Sequence, residues 1–257
     1  MITDSYDPVT RPVVSPGDFY PEGDVSRVCL IIFSEQLFRY MQEHFSCEPV
    51  GMIGACNGRK RIWKTEYEGS TLVFYLSAIG SCGAGTDLIE TAHQTGARKF
   101  VMFGSAGNLA PEKTEGKYVL PTAAYRDEGL SYHYAPASDY IETPGHRLLE
   151  KLFDEWKVPY VSGRIWTTDA IYRETAGHLS ARRADGCLAV DMEVSGVQAV
   201  CDFHGFELYD FLQVGDVLRE EDHDVSGLHG ANHDLPKLHI ALRIAKTLME
   251  EERDEKN

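Results

Sequence analysis

The chain has 257 residues, 43% of them hydrophobic and 25% charged, which is ample material for a sizeable core and within the reach of one α/β domain. Its formal net charge of −15 excludes the broadly basic surface that non-specific binding to nucleic acid or an anionic membrane requires, so an anionic substrate would need a local basic pocket. No stretch approaches the roughly 18 apolar residues of a membrane span, the first residues carry no basic or apolar leader, and the six cysteines are scattered with no CxxC pair; the expectation is a cytoplasmic protein with reduced thiols.

Residues 1–26, rich in Pro, Asp and Ser, read as an extended N-terminal arm, and residues 27–257 as the domain itself. Val28 to Phe33 is a continuous apolar run and predicts a buried strand; Leu37, Phe38, Met41 and Phe45 then recur at helical spacing. Ile62 to Glu66 and Leu72 to Ile79 predict two strands joined by a turn at Glu68-Gly69-Ser70. The glycine turn Gly80–Gly85 leads into a helix through Ala92, with Gly96 at its stop, and Phe100 to Phe103 predicts a short strand ending at a Gly104-Ser105-Ala106-Gly107 loop. Strand-like segments with turns fill 117–134, a helix spans about 145–156, and a strand spans 160–167. Helix 191–204, strand 208–214 and a last helix over about 235–250 complete the alternation, before an acidic tail expected to be solvated. Strand–helix alternation without linker or repeat predicts a single α/β domain.

The most informative segment is Leu188-Ala189-Val190-Asp191-Met192-Glu193, an apolar strand end that stops at two carboxylates flanking a methionine and feeds a helix (Val194, Val197, Val200, Cys201). Open α/β sheets bind ligands at the carboxyl ends of strands. There a carboxylate accepts hydrogen bonds from a vicinal diol and a thioether packs on a sugar ring; on the residues alone, capping of the helix N-terminus explains the acids equally well. Gly104-Ser105-Ala106-Gly107 and Gly80-Ser81-Cys82-Gly83-Ala84-Gly85 bring backbone amides close to a ligand, although neither has the lysine of a P-loop or the spacing of a dinucleotide fingerprint. His223, His229, His233 and His239 lack any recognised ligand spacing, and Pro236 interrupts a helix that would align them, so they read as a solvated loop with no metal and no resident cofactor expected.

The order of these motifs resembles the nucleoside phosphorylase/nucleosidase superfamily, over most of residues 27–250. The shared run is the strand Tyr75 to Gly80, the Gly104–Gly107 loop, Gly116-Lys117-Tyr118-Val119-Leu120-Pro121-Thr122, the Thr167–Thr175 loop, Val190-Asp191-Met192-Glu193, and Val214-Gly215-Asp216. The resemblance implies a central mixed twisted sheet flanked by helices, and cleavage of a nucleoside's N-glycosidic bond with phosphate as co-substrate, in a homo-oligomer (dimer, trimer or hexamer). In that reading Glu193 and Met192 grip the ribose, Ser105 and Gly104 hold ribose or phosphate, and Asp216 assists the leaving base at a purine N7. Tyr172, Arg173 and Glu174 are candidates for base recognition, with a surface ion pair as the other reading of Arg173 and Glu174. Phosphate contacts fall to Arg39, Arg59, Ser105 and Gly80.

The chain departs from the phosphorolytic pattern in the turn after the first strand, Phe33-Ser34-Glu35-Gln36-Leu37-Phe38-Arg39, which lacks its glycine and proline and carries the arginine one place late. Met102 stands where a second phosphate arginine is expected, and Arg59-Lys60-Arg61 falls near a third, supplied across a subunit interface. Hydrolytic nucleosidases of the same superfamily use water oriented by a glutamate near the first strand, and Glu35 is a possible counterpart. Phosphorolysis of a purine or uridine-type nucleoside is the leading expectation, with hydrolysis and a non-catalytic nucleoside-binding protein as the alternatives.

Overall fold

The apolar run at the start of the domain forms β1 (Val28–Ile32), all five residues buried. It is covered on one side by α1 (Glu35–His44), whose N-cap Ser34 accepts the Leu37 amide and which buries Leu37 and Met41. A computed structural model describes residues 1–56 and 58–254, the side chains of 253 and 254 excepted. After α1 come an antiparallel arm, β2 (Cys47–Ile53) and β3 (Lys60–Tyr67), and then β4 (Ser70–Leu76), which returns parallel to β1. α2 (Ser81–Thr95) and β5 (Lys99–Asn108) follow, then α3 (Pro111–Thr114), β6 (Tyr118–Asp127), α4 (Ser131–Tyr134) and β7 (Tyr140–Glu142). α5 (His146–Trp156), β8 (Tyr160–Thr168), α6 (Ala176–Ala184), β9 (Ala189–Asp191) and α7 (Val194–His204) lead to β10 (Glu207–Leu218). The short β11 (His223–Asp224), α8 (Leu228–Asn232) and α9 (Leu235–Asp254) complete the described chain.

These strands form one mixed sheet that closes on itself. β5 pairs parallel with β10, β10 antiparallel with β6, β6 parallel with β8, β8 parallel with β9, and β9 antiparallel with the end of β5, while β1 pairs parallel with the first half of β5 and β4, β3 and β2 extend outward from β1. Strand alternation divides the core. Cys29, Ile31, Tyr75 and Phe100 pack with Val197 and Val200 of α7, and Leu30, Phe74, Val101 and Phe211 pack with Phe153 of α5 and Leu242 of α9. A smaller cluster of Leu109, Trp166, Leu179, Val190 and Leu218 lies where β5, β8, β9 and β10 meet. This is the single α/β domain, with its mixed sheet between helices, that strand–helix alternation and family resemblance implied.

The structure corrects several local expectations. Gly104–Gly107 is not a loop: β5 runs on to Asn108 because β10 pairs with it as far as Asn108. Gly80–Gly85 is not an open turn, since α2 starts at Ser81 and Gly80 is its N-cap, at a φ of 88° that favours glycine. The arm at 1–26 contains 3-10 turns at Ile2–Asp4 and Pro16–Asp18 and docks on the end of α2, where Gly23 and Val25 donate to the carbonyls of His93 and Thr95. The last helix continues to Asp254, and the end of the acidic tail, 255–257, lies outside the described residues. No described helix is long and apolar enough to cross a membrane.

Candidate active site

At the carboxyl ends of β1, β5, β9 and β10 lies a cavity of about 800 Å³. It brings together Gly104, Ser105, Met192, Glu193, Glu174 and Asp216, which the sequence spreads over more than a hundred residues, and Tyr172 stands at its edge, 96% exposed. Eight carboxylates line it against Arg219 and Lys237, so the cavity is strongly acidic.

One end is built by the strand-to-helix junction after β9. Asp191 is buried and accepts three hydrogen bonds, from Thr167 Oγ1 at 2.6 Å and from the amides of Glu193 and Val194 at 2.8 and 2.7 Å. Asp191 therefore serves as the cap of α7, satisfying amides that would otherwise be orphaned at the helix start. The same bonds leave Glu193 free of capping duty. Its Oε1 accepts the Gly80 amide at 2.6 Å. Burial, and next the Asp191 carboxylate beside it, push the Glu193 carboxyl upward, so positive charge developing in the cavity would draw it back to its carboxylate form. Ser81 Oγ donates to the Met192 carbonyl at 2.9 Å, so α2 and α7 together fix the Met-Glu pair.

At the opposite side, β10 carries a bulge: Val214 pairs with Ala106 and Asp216 with Gly107, leaving Gly215 extra. Bulges re-aim side chains at the rims of sheets. Gly107 is required here, because a Cβ would come within 2.5 Å of Leu218 and 2.9 Å of Val190. Asp216 Oδ2 bonds to His223 Nε2 at 2.7 Å. Glu174, half-buried in the turn after β8, has its carboxyl pushed up to about 7, chiefly by burial and then by Asp216, with His223 opposing. A carboxyl poised there can donate or accept a hydrogen bond near neutrality.

The floor holds residues that no sequence motif announced. Ser105 Oγ donates to Asn232 Oδ1, and Ser34 Oγ and His233 Nδ1 are hydrogen-bonded at 2.8 Å. Lys237, 1% exposed, donates to the carbonyls of Gly104 at 3.0 Å and Ala231 at 2.6 Å, and burial pulls its ammonium down to about 8. Asp210, 5% exposed, sits beside Met102 in the β5–β10 ladder, and neither carboxylate oxygen has a hydrogen-bond partner among the described residues. Burial first, then Asp191 and Glu193, push the Asp210 carboxyl well above its ordinary value. His223 and His233 are thus cavity residues, not members of a solvated loop. Among the described residues no group of His, Cys, Asp and Glu is arranged to hold a metal ion.

Several expected contacts lie elsewhere. The Gly80 amide is spent on Glu193, so it positions the carboxylate and is not available to phosphate. Arg39, carried outward on α1, is 66% exposed and paired with Glu35 at 2.5 Å. Arg59 is exposed, while its neighbours are engaged otherwise: Lys60 pairs with Asp87 at 2.6 Å, and Arg61 lies over Trp63. Arg173 is also exposed; it closes the turn at Ile171–Arg173 and does not line the cavity. Met102 lines the floor where an arginine was expected.

Comparison with known proteins bears on the family and the fold. The family described as the phosphorylase superfamily matches residues 27–234. A DeoD-type purine nucleoside phosphorylase of Exiguobacterium sibiricum is 24% identical over 77% of this chain and 84% of its own. A guanosine phosphorylase of Halorubrum lacusprofundi is 27% identical over 60% of this chain and 64% of its own. The solved 5′-methylthioadenosine/S-adenosyl homocysteine nucleosidase of Helicobacter pylori superposes with a TM-score of 0.67, at 17% identity, over 89% of this chain and 99% of that one, and so shares the fold.

Proposed function

The chain belongs to the phosphorylase superfamily, and from that premise we propose that it cleaves the N-glycosidic bond of a purine nucleoside, transferring the ribosyl group to phosphate. The observation that carries this reading is the convergence of Met192 and Glu193 with Glu174 and Asp216 around one cavity. Glu193 accepts the 2′ and 3′ hydroxyls and Met192 packs on the ring. As the C1′–N9 bond breaks, the oxocarbenium charge develops beside the Glu193 carboxylate, where it is stabilised more than the neutral ground state. Asp216 and Glu174 face the base edge, one accepting or giving a proton at N7 and the other hydrogen-bonding a neighbouring heteroatom. Phosphorolysis is supported by the relatives named as purine nucleoside and guanosine phosphorylases. Asn232, His233 and Lys237 line the floor with donor groups, and Ser105 is hydrogen-bonded to Asn232 beside them.

Hydrolysis has its own observation in its favour: Arg39 and Arg59 stay off the cavity, whereas Glu35 lines it and can orient water. Incubation with inosine, adenosine and uridine, with and without phosphate, decides between the two. Ribose 1-phosphate formed only with phosphate establishes phosphorolysis, free ribose under both conditions establishes hydrolysis, and binding without either product leaves a non-catalytic nucleoside binder.

A further inference from the structure

The Asp216–His223 contact points beyond an isolated acid. β10 and β11 form a hairpin with Leu218 opposite His223, closed by a turn in which Arg219 donates its amide to the Asp222 carbonyl at 2.8 Å. Asp216 is two residues before Leu218 and so shares its face of the strand, which puts His223 diagonally across from it. The Asp216 side chain is 13% exposed and faces the cavity; that of His223 is 55% exposed and faces solvent as well. The pair spans the cavity wall. The charged groups around His223 are Asp216 on β10, Glu174 from the turn after β8, Asp224 on β11 itself, and Arg219 and Asp222 in the hairpin turn.

We propose that His223 is a positioning residue that supplies protons through Asp216 to the leaving base. This rests on the nucleoside-cleaving reading above. Histidine is the side chain whose charge changes within the physiological range, and this one joins Asp216 in the cavity wall to solvent. In the step, the C1′–N9 electron pair passes to the base, the Asp216 carboxylate takes the Nε2 proton of His223 and delivers a proton to N7, and Asp216 ends as a carboxylate with His223 neutral. The acceptor forms its bond to C1′ and releases one proton as the base gains one, so the reaction is proton-neutral overall. His223 recovers its proton from solvent after the base departs. A neutral or absent side chain at 223 would leave Asp216 able to hydrogen-bond the base but unable to be recharged through the wall.

The test compares wild type with His223→Ala on a purine nucleoside and on its 7-methyl counterpart, whose quaternised ring leaves without a proton. General acid catalysis is worth about 100-fold or more, so kcat on the ordinary nucleoside should fall at least about 30-fold with KM changed less than about 3-fold. The 7-methyl nucleoside should lose less than about 3-fold, and added imidazole should restore part of the lost rate. Equal losses on both substrates with no rescue would assign His223 a structural role and overturn the relay, as would no loss on either. Wild type that releases no base from either substrate refutes the nucleoside reading itself, and the relay with it.

Discussion

Replacing Glu193 by Gln tests the sugar grip with little change of shape. In wild type Glu193 is half-buried and its carboxyl is held by the Gly80 amide at 2.6 Å. If it accepts both ribose hydroxyls, two charge-assisted hydrogen bonds of about 1.5 to 3 kcal/mol each form in the transition state. Gln has one acceptor oxygen and no charge, so one bond is lost and the other weakened, about 3 kcal/mol in total. That corresponds to about 100-fold in kcat/KM. A 2′-deoxynucleoside removes one of the hydroxyls from the other side. Wild type should therefore discriminate against it by at least about 10-fold, and Glu193→Gln should show little discrimination, because the partner of the missing hydroxyl is already gone. Steady-state base release on the two substrates by the two proteins completes the cycle. Near-wild-type turnover in Glu193→Gln, or a deoxy penalty of equal size in both proteins, would refute the assignment.

Other consequences follow from the carboxyl groups. Glu174, pushed up to about 7, is protonated below that pH and donates to the base; kcat/KM should fall as pH rises through about 7, and Glu174→Gln, a permanent donor, should remove that limb, whereas an unchanged profile would exclude Glu174 from the base contact. Asp191→Ala leaves three buried donors without a partner, a loss of about 3 kcal/mol that should lower Tm by roughly 6 to 12 °C for a chain of this size; a shift below 2 °C in calorimetry would contradict its capping role. Asp210 is raised far above its unfolded value, so its contribution is intact at low pH and stability is lost as pH climbs above about 4. Asp210→Asn lacks that loss, and its urea midpoint should gain on wild type between pH 5 and pH 8; a gap that stays constant with pH would show that Asp210 is not titrating as described.

What was legible in the sequence was what local pattern encodes. The run Val28 to Phe33, the helical spacing of 35–45 and the Val190-Asp191-Met192-Glu193 junction each carry their structure in neighbouring residues, and each matches an observed element. α6 was missed because it buries only Leu179 and so has no apolar periodicity to read. β2 was missed because it is an edge strand with Pro49 and Gly51 inside it and only Ile53 buried. The floor of the cavity was invisible for a different reason. Asp210 and Lys237 are single charges in a strand and a helix, and only the ring closure of β5 against β10 and the docking of α9 reveal that they are buried. Likewise His223 gains its meaning from the bulge at Gly215 and the hairpin that follows. One signal was present: a lone aspartate in the apolar run Leu208-Tyr209-Asp210-Phe211-Leu212 marks a buried charge that needs a reason.

A crystal structure of this protein with a non-cleavable purine nucleoside analogue would show directly whether the sugar sits on Glu193. Both ribose hydroxyls should lie within about 3 Å of the Glu193 carboxylate, with the ring against Met192 and the base edge between Glu174 and Asp216. A nucleoside seated with its sugar away from Glu193, or bound outside the cavity, would contradict that placement.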